Sequence, residues 1–181
     1  LPHGETHLRN LLEGRRVGAE FGGVSQVAYT PDSFGHPAQF PQIFAGFGLG
    51  PFVYWRGNGN EIDSLPAEYR WVAPDGTSVL AHHLGEGYFG ACGLPEDTLS
   101  AAVFLQDLAL RLRERSAGEH VLLMNGLDHA APDPYIGRKL EALRRVTGWK
   151  VRRGLLEDFV ENLSDEAPRF SGELVGGRLA N

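Results

Sequence analysis

The sequence holds one cysteine, Cys92, so no disulfide can form within the chain, and a reducing compartment, the cytoplasm, is the expected setting. No apolar run approaches the roughly 20 residues that a membrane-crossing helix needs. The opening residues, Leu1-Pro2-His3-Gly4-Glu5, carry neither the basic stretch nor the apolar stretch of a secretory signal. Basic side chains are scarce: 17 Lys and Arg face 23 Asp and Glu, a formal net charge of −6. The basic stripe of a nucleic-acid binder is therefore missing, and neither a nucleic-acid nor a membrane partner is expected. The chain does not begin with Met, and its last residues, 172–181, break off without a closing signal. Both ends read as truncated. Oligomeric state leaves no mark in the sequence.

What is present is ordinary globular material, 42% apolar and 22% charged, at a length of 181 residues that suits one domain. Helical spacing around Leu8, Leu11 and Leu12 ends at Gly22-Gly23, and a short strand is expected from Val24 to Tyr29. A helix follows from Pro37-Ala38 to about Gly46–Gly48, then a β-prone run, Phe52-Val53-Tyr54-Trp55. Residues 68–72 and 77–82 flank Pro74-Asp75-Gly76 as the arms of a hairpin. Pro95-Glu96-Asp97 opens the longest helix, which runs to about Arg115. Val121 to Met124 reads as a strand buried on both faces. Asp133-Pro134 caps a helix with the face Ile136, Leu140 and Leu143, stopped by Gly148, and a last amphipathic helix spans Leu155 to Leu163. Strands alternating with helices predict an α/β fold with mostly parallel strands, whose chemistry lies at the strands' carboxyl ends.

Two acids fall at such ends. Asp32 follows the first strand in Tyr29-Thr30-Pro31-Asp32-Ser33-Phe34-Gly35-His36-Pro37, and Asp128 follows the strand at Val121–Met124. On spacing alone Asp32 is first a turn or N-cap residue. Placed near a helix start it is also a carboxylate kept ionised, as a metal ligand or nucleophile requires. His36 reads as structural. So does the pair His82-His83, because adjacent strand residues face opposite ways and cannot share a metal. Asp128-His129 also suits a helix start, Arg56 a salt bridge at a strand end, and Tyr88 simple loop packing.

The segment Tyr29 to Gly57 contains Asp32-Ser33-Phe34-Gly35-His36, Pro41-Gln42-Ile43 and Trp55-Arg56-Gly57. It is followed in order by Glu68-Tyr69-Arg70-Trp71, Gly87-Tyr88-Phe89 and Leu123-Met124-Asn125-Gly126-Leu127-Asp128-His129. Together these runs resemble glycoside hydrolase family 38, on the bacterial branch that includes mannosylglycerate hydrolases. The resemblance covers nearly the whole chain, and implies that residues 1–181 are an internal part of the family's N-terminal catalytic domain, part of a (β/α)7 barrel. It implies a retaining α-mannosidase acting on α-mannosides, with zinc as cofactor. Asp32 matches the residue that is both nucleophile and zinc ligand, and Asp128 the general acid/base. Phe34, Arg56 and Tyr88 match substrate-binding positions. Mannosylglycerate, its phosphorylated form and other α-mannosides all satisfy the resemblance.

One departure bears on the metal. The family's other zinc ligands are an N-terminal His-x-Asp pair and a C-terminal His. This chain has no His-x-Asp; His3-Gly4-Glu5 and His7 fall at an ordinary helix start. Since a closed zinc site takes about four ligands, the remaining ones are expected outside this fragment, which by itself is expected to bind zinc weakly and to be inactive. Two other readings compete: a zinc-dependent polysaccharide deacetylase with a water nucleophile, and an inactive carbohydrate-binding remnant keeping Phe34, Trp55 and Tyr88 as sugar platforms.

Overall fold

A computed structural model of the chain describes residues 3–176. The first helix, α1 (Gly4–Glu20), is capped by the His3 ring accepting from Glu5 N–H, and none of its residues is buried. Strand β1 (Ala28–Thr30) leads into a Pro31-Asp32 turn, the two-residue strand β2 (Gly35–His36) and helix α2 (Phe40–Gly46). Asp32 therefore does not stand at a helix start as expected. β2 pairs with β7 (Leu174–Val175) and delays the helix until Pro41 can occupy its first turn.

β3 (Phe52–Tyr54) is the compact aromatic run, and β4 (Glu68–Val72) and β5 (Ser78–His83) form the expected hairpin. Asp75 holds its turn by accepting from Thr77 N–H at 2.9 Å. The chain continues through α3 (Thr98–Arg113), α4 (Ile136–Thr147), α5 (Leu156–Val160) and β6 (Arg169–Ser171). Asp97 caps α3 by accepting from Ser100 N–H at 2.7 Å. Gly148 closes α4, its N–H donating to Arg144 O at 2.8 Å.

The main sheet has the order β1-β3-β5-β4-β6. The pairs β1–β3, β3–β5 and β4–β6 are parallel, and only the hairpin β4–β5 is antiparallel. The fold is thus mixed α/β with a mostly parallel sheet. That sheet is open, and the described residues do not close a barrel.

Strand alternation divides the core. Phe52, Tyr54, Tyr69, Trp71, Val79 and Ala81 turn to one face, where Phe40 and Phe44 of α2 cover them. Val53 and Trp55 turn to the other, with Val27 and Leu84. Each fully buried side chain of this size contributes about 1.5–3 kcal/mol. Glu68 and His82 also face away from the aromatic layer. Their buried pair, at 2.9 Å, is further tied to Ala117 N–H by Glu68 Oε2. α3 and α4 pack on each other through Ala102, Leu105, Leu108 and Leu143.

The run Val121–Met124 is not a strand, contrary to its apolar pattern. It is only half-buried and joins no ladder among the described residues. Met124 O accepts from Ala91 N–H at 2.8 Å, and Leu122 and Met124 pack beneath Trp55 and Leu84.

Candidate active site

The three parallel strands β1, β3 and β5 end on the same edge of the sheet, which is where open α/β sheets place their ligands. The loop after β1 supplies Asp32 and Phe34, the loop after β3 supplies Arg56, and the loop after β5 supplies Tyr88. Asp128 arrives from the irregular segment beyond Met124.

Arg56 is fixed at both ends of its residue. Its N–H donates to Pro31 O at 3.1 Å, and its C=O accepts from His36 Nε2–H at 3.0 Å. Its guanidinium lies 4.0 Å from the centre of a Trp55 ring and 5.4 Å from that of Phe34. From there Nε reaches Asp32 Oδ1 at 2.5 Å. The Asp32 side chain is 54% exposed, so its carboxylate is both charge-paired and open to a ligand.

Gly57 makes this fit possible. Its φ is +93°, and a Cβ there would meet Gly35 N, His36 Nε2 and Ser33 O, each at 2.7 Å. The loops after β1 and β3 are docked backbone to backbone. His36 is buried against Phe52 and Tyr54, and burial lowers its pKa, keeping it a neutral donor to Arg56 O. It is a structural residue, as its position suggested.

Across the site, Tyr88 Oη donates to Asp128 Oδ2 at 3.2 Å. Partial burial first, then Asp128 and the more distant charge of Asp32, raise the phenol's pKa; Arg56 opposes them. Tyr88 is therefore within electrostatic reach of both Asp32 and Arg56. Asp128 itself is exposed. The adjacent His129 takes a left-handed φ of 62°. Phe34 is 60% exposed and available to a sugar face, whereas Trp55 is 6% exposed and cannot serve as an open platform.

The structure thus brings all five expected site residues to one rim: Asp32, Phe34 and Arg56 as one group, Tyr88 and Asp128 as the other. The sequence did not single out Trp55 or Gly57 for the joints they make; the adjacent Trp-Arg-Gly triplet was the available signal. His82 and His83 point to opposite faces. His83 Nε2–H donates to Trp55 O at 2.9 Å and its Nδ1 accepts from Arg115 at 3.2 Å. No three His, Cys, Asp or Glu side chains stand together as a metal site would require among the described residues. Nor is any described helix long and apolar enough to cross a membrane.

A solved structure shares this fold. An α-mannosidase from Enterococcus faecalis V583 superposes with a TM-score of 0.82 at 26% identity, over 94% of this chain and 20% of that one. A Halalkalibacterium halodurans protein described as a candidate mannosylglycerate hydrolase is 28% identical over 97% of this chain and 21% of its own length. The mouse protein alpha-mannosidase 2C1 is 33% identical over 59% of this chain and 10% of its own length. The chain therefore spans about a fifth of the length of its relatives, or less. The profile of the glycosyl hydrolases family 38 N-terminal domain matches residues 1–175, which takes in every residue of the rim just described. On that match and that shared architecture, the chain belongs to glycosyl hydrolase family 38.

Proposed function

We propose that this chain carries the paired carboxylates of a retaining α-mannosidase. The observation that supports it is the arrangement of one rim in a chain of this family. It carries a carboxylate held by a guanidinium, Asp32 with Arg56, and a second carboxyl group held by a phenol, Asp128 with Tyr88.

In this reading Asp32 attacks the anomeric carbon. The bond from that carbon to the leaving oxygen breaks as Asp128 gives the oxygen its proton, and a glycosyl ester on Asp32 remains. Asp128 then takes a proton from water, whose oxygen displaces Asp32 from the same carbon. Two inversions leave the configuration retained, which requires carboxyl groups roughly 5–5.5 Å apart. Arg56 orients Asp32 and disperses its charge, Tyr88 aims Asp128, and Phe34 lies against the sugar.

Zinc belongs to this proposal only in part. Asp32 is assigned as one ligand, but the described residues do not form a complete site. The other ligands must come from outside residues 3–176, and no step above is routed through the metal. The substrate class is an α-mannoside. A cytoplasmic setting fits a chain whose single cysteine is free.

The stereochemistry tests the reading. Proton NMR of an α-mannoside during hydrolysis by the complete protein should show the α-anomer of mannose first. First release of the β-anomer overturns the retaining mechanism. Acetate released from acetylated glycans in place of mannose would favour the deacetylase, and binding without turnover the remnant.

A further inference from the structure

We infer that Trp55 is a positioning residue that sets the spacing between the two halves of the site; the inference rests on the roles proposed for Asp32 and Asp128. Its indole touches both halves. On one side the Arg56 guanidinium lies 4.0 Å from a ring centre, within reach of a cation–π attraction, and Arg56 in turn pairs with Asp32. On the other, the Tyr88 ring meets it edge-on at 5.6 Å, and Tyr88 in turn donates to Asp128.

The ring cannot easily move. Phe89 packs edge-on at 4.9 Å, and the Trp55 carbonyl is held by Asn58 Nδ2 at 2.8 Å and His83 Nε2 at 2.9 Å. Gly87 lies flat against the indole. A Cβ there would stand 3.0 and 3.1 Å from two of its ring carbons, at a φ of +68° that also disfavours a side chain. The absent side chain at 87 lets the loop that carries Tyr88 settle at the distance the indole dictates. An inert wedge between two reacting groups acts through geometry. Misplacing reacting groups by about 1 Å costs on the order of 100-fold in rate.

The test compares Trp55→Phe and Trp55→Leu in the complete protein, with kcat and KM measured on aryl α-mannosides and melting followed alongside. Trp55→Leu is expected to lower kcat by about 100-fold while KM changes little. Trp55→Phe should recover most of that loss, because it restores an aromatic face for both Arg56 and Tyr88. Should Trp55→Leu fail to fold, Gly87→Ala displaces the indole from the other side and should show the same selective fall in kcat. Folded variants with unchanged kcat, or a Phe variant no better than Leu, overturn the inference.

A crystal structure of Trp55→Leu separates this inference from the proposed function. A changed Asp32–Asp128 separation supports the spacer even if the wild type hydrolyses no mannoside. An unchanged separation overturns it even if the wild type is a good mannosidase.

Discussion

Arg56 Nε meets Asp32 Oδ1 at 2.5 Å, while the same residue's backbone is pinned to Pro31 and His36. The Asp32 end of the pair is half open to water, so the pair contributes little to folding, at most about 1 kcal/mol by analogy with exposed ion pairs. Its use is orientation. Arg56→Met should therefore leave the melting temperature nearly unchanged while lowering kcat/KM by about 100-fold. Steady-state kinetics with calorimetry decides; a stability loss with normal kinetics in the folded protein would reverse the assignment.

Tyr88 and Asp128 give a second, separable outcome. General acid catalysis supplies about 10²–10⁴-fold, and a leaving group that departs without protonation escapes the need for it. Asp128→Ala should slow natural and alkyl mannosides strongly and activated aryl mannosides far less, with metal content unchanged. Tyr88→Phe removes the bond to Asp128 Oδ2 and should follow the same leaving-group pattern more weakly. Equal losses on every substrate would contradict the acid role.

The elements that presented themselves most clearly in the sequence are those with a strong local cause. Gly148 ending α4 and the Asp-Gly turn between β4 and β5 lie where local chemistry put them, and the helix read from Pro95-Glu96-Asp97 forms three residues later, with Asp97 as its cap. The strand assigned to Val121–Met124 failed because a strand exists only through a neighbour, and apolar composition says nothing of who lies alongside. β2, β6 and β7 are two or three residues long and are created by tertiary pairing, too short to carry a periodicity. At the site, the acids and Arg56 could be named because strand ends concentrate chemistry and because the surrounding motifs resembled a family. The Trp55 wedge and the Gly57 joint could not, since both depend on two loops meeting in space.

His83 predicts how stability varies with pH. Burial first, then the Arg115 cation, drive its pKa down to about 3, far below the 6.5 of an exposed imidazole. The unfolded chain therefore binds a proton between about pH 6.5 and 3 that the folded chain refuses. Stability should fall as pH drops through that window, by up to about 1.4 kcal/mol per pH unit. In His83→Gln, which can still donate to Trp55 O, the slope should become shallower, leaving what the buried His36 contributes. Denaturant unfolding at several pH values checks it, and parallel slopes for the two proteins would refute it.

Gly57→Ala tests whether the two loops must dock. The backbone conformation alone costs about 1–2 kcal/mol for a residue with a Cβ, and the methyl would sit 2.7 Å from three atoms of the Asp32 loop. Thermal unfolding should show a clear loss, and turnover should fall further than stability explains, since Arg56 moves with its neighbour. Unaltered melting and turnover would mean that the loops are not in this contact.

The central claim is that Asp32 becomes covalently bonded to the sugar. A slow fluoro-mannoside offered to the complete protein, followed by proteolysis and mass spectrometry, tests it most directly. One fluoromannosyl unit is expected on the peptide that contains Asp32, lost again as activity returns. Turnover of mannosides with no adduct, or with the adduct on Asp128 instead, would contradict it.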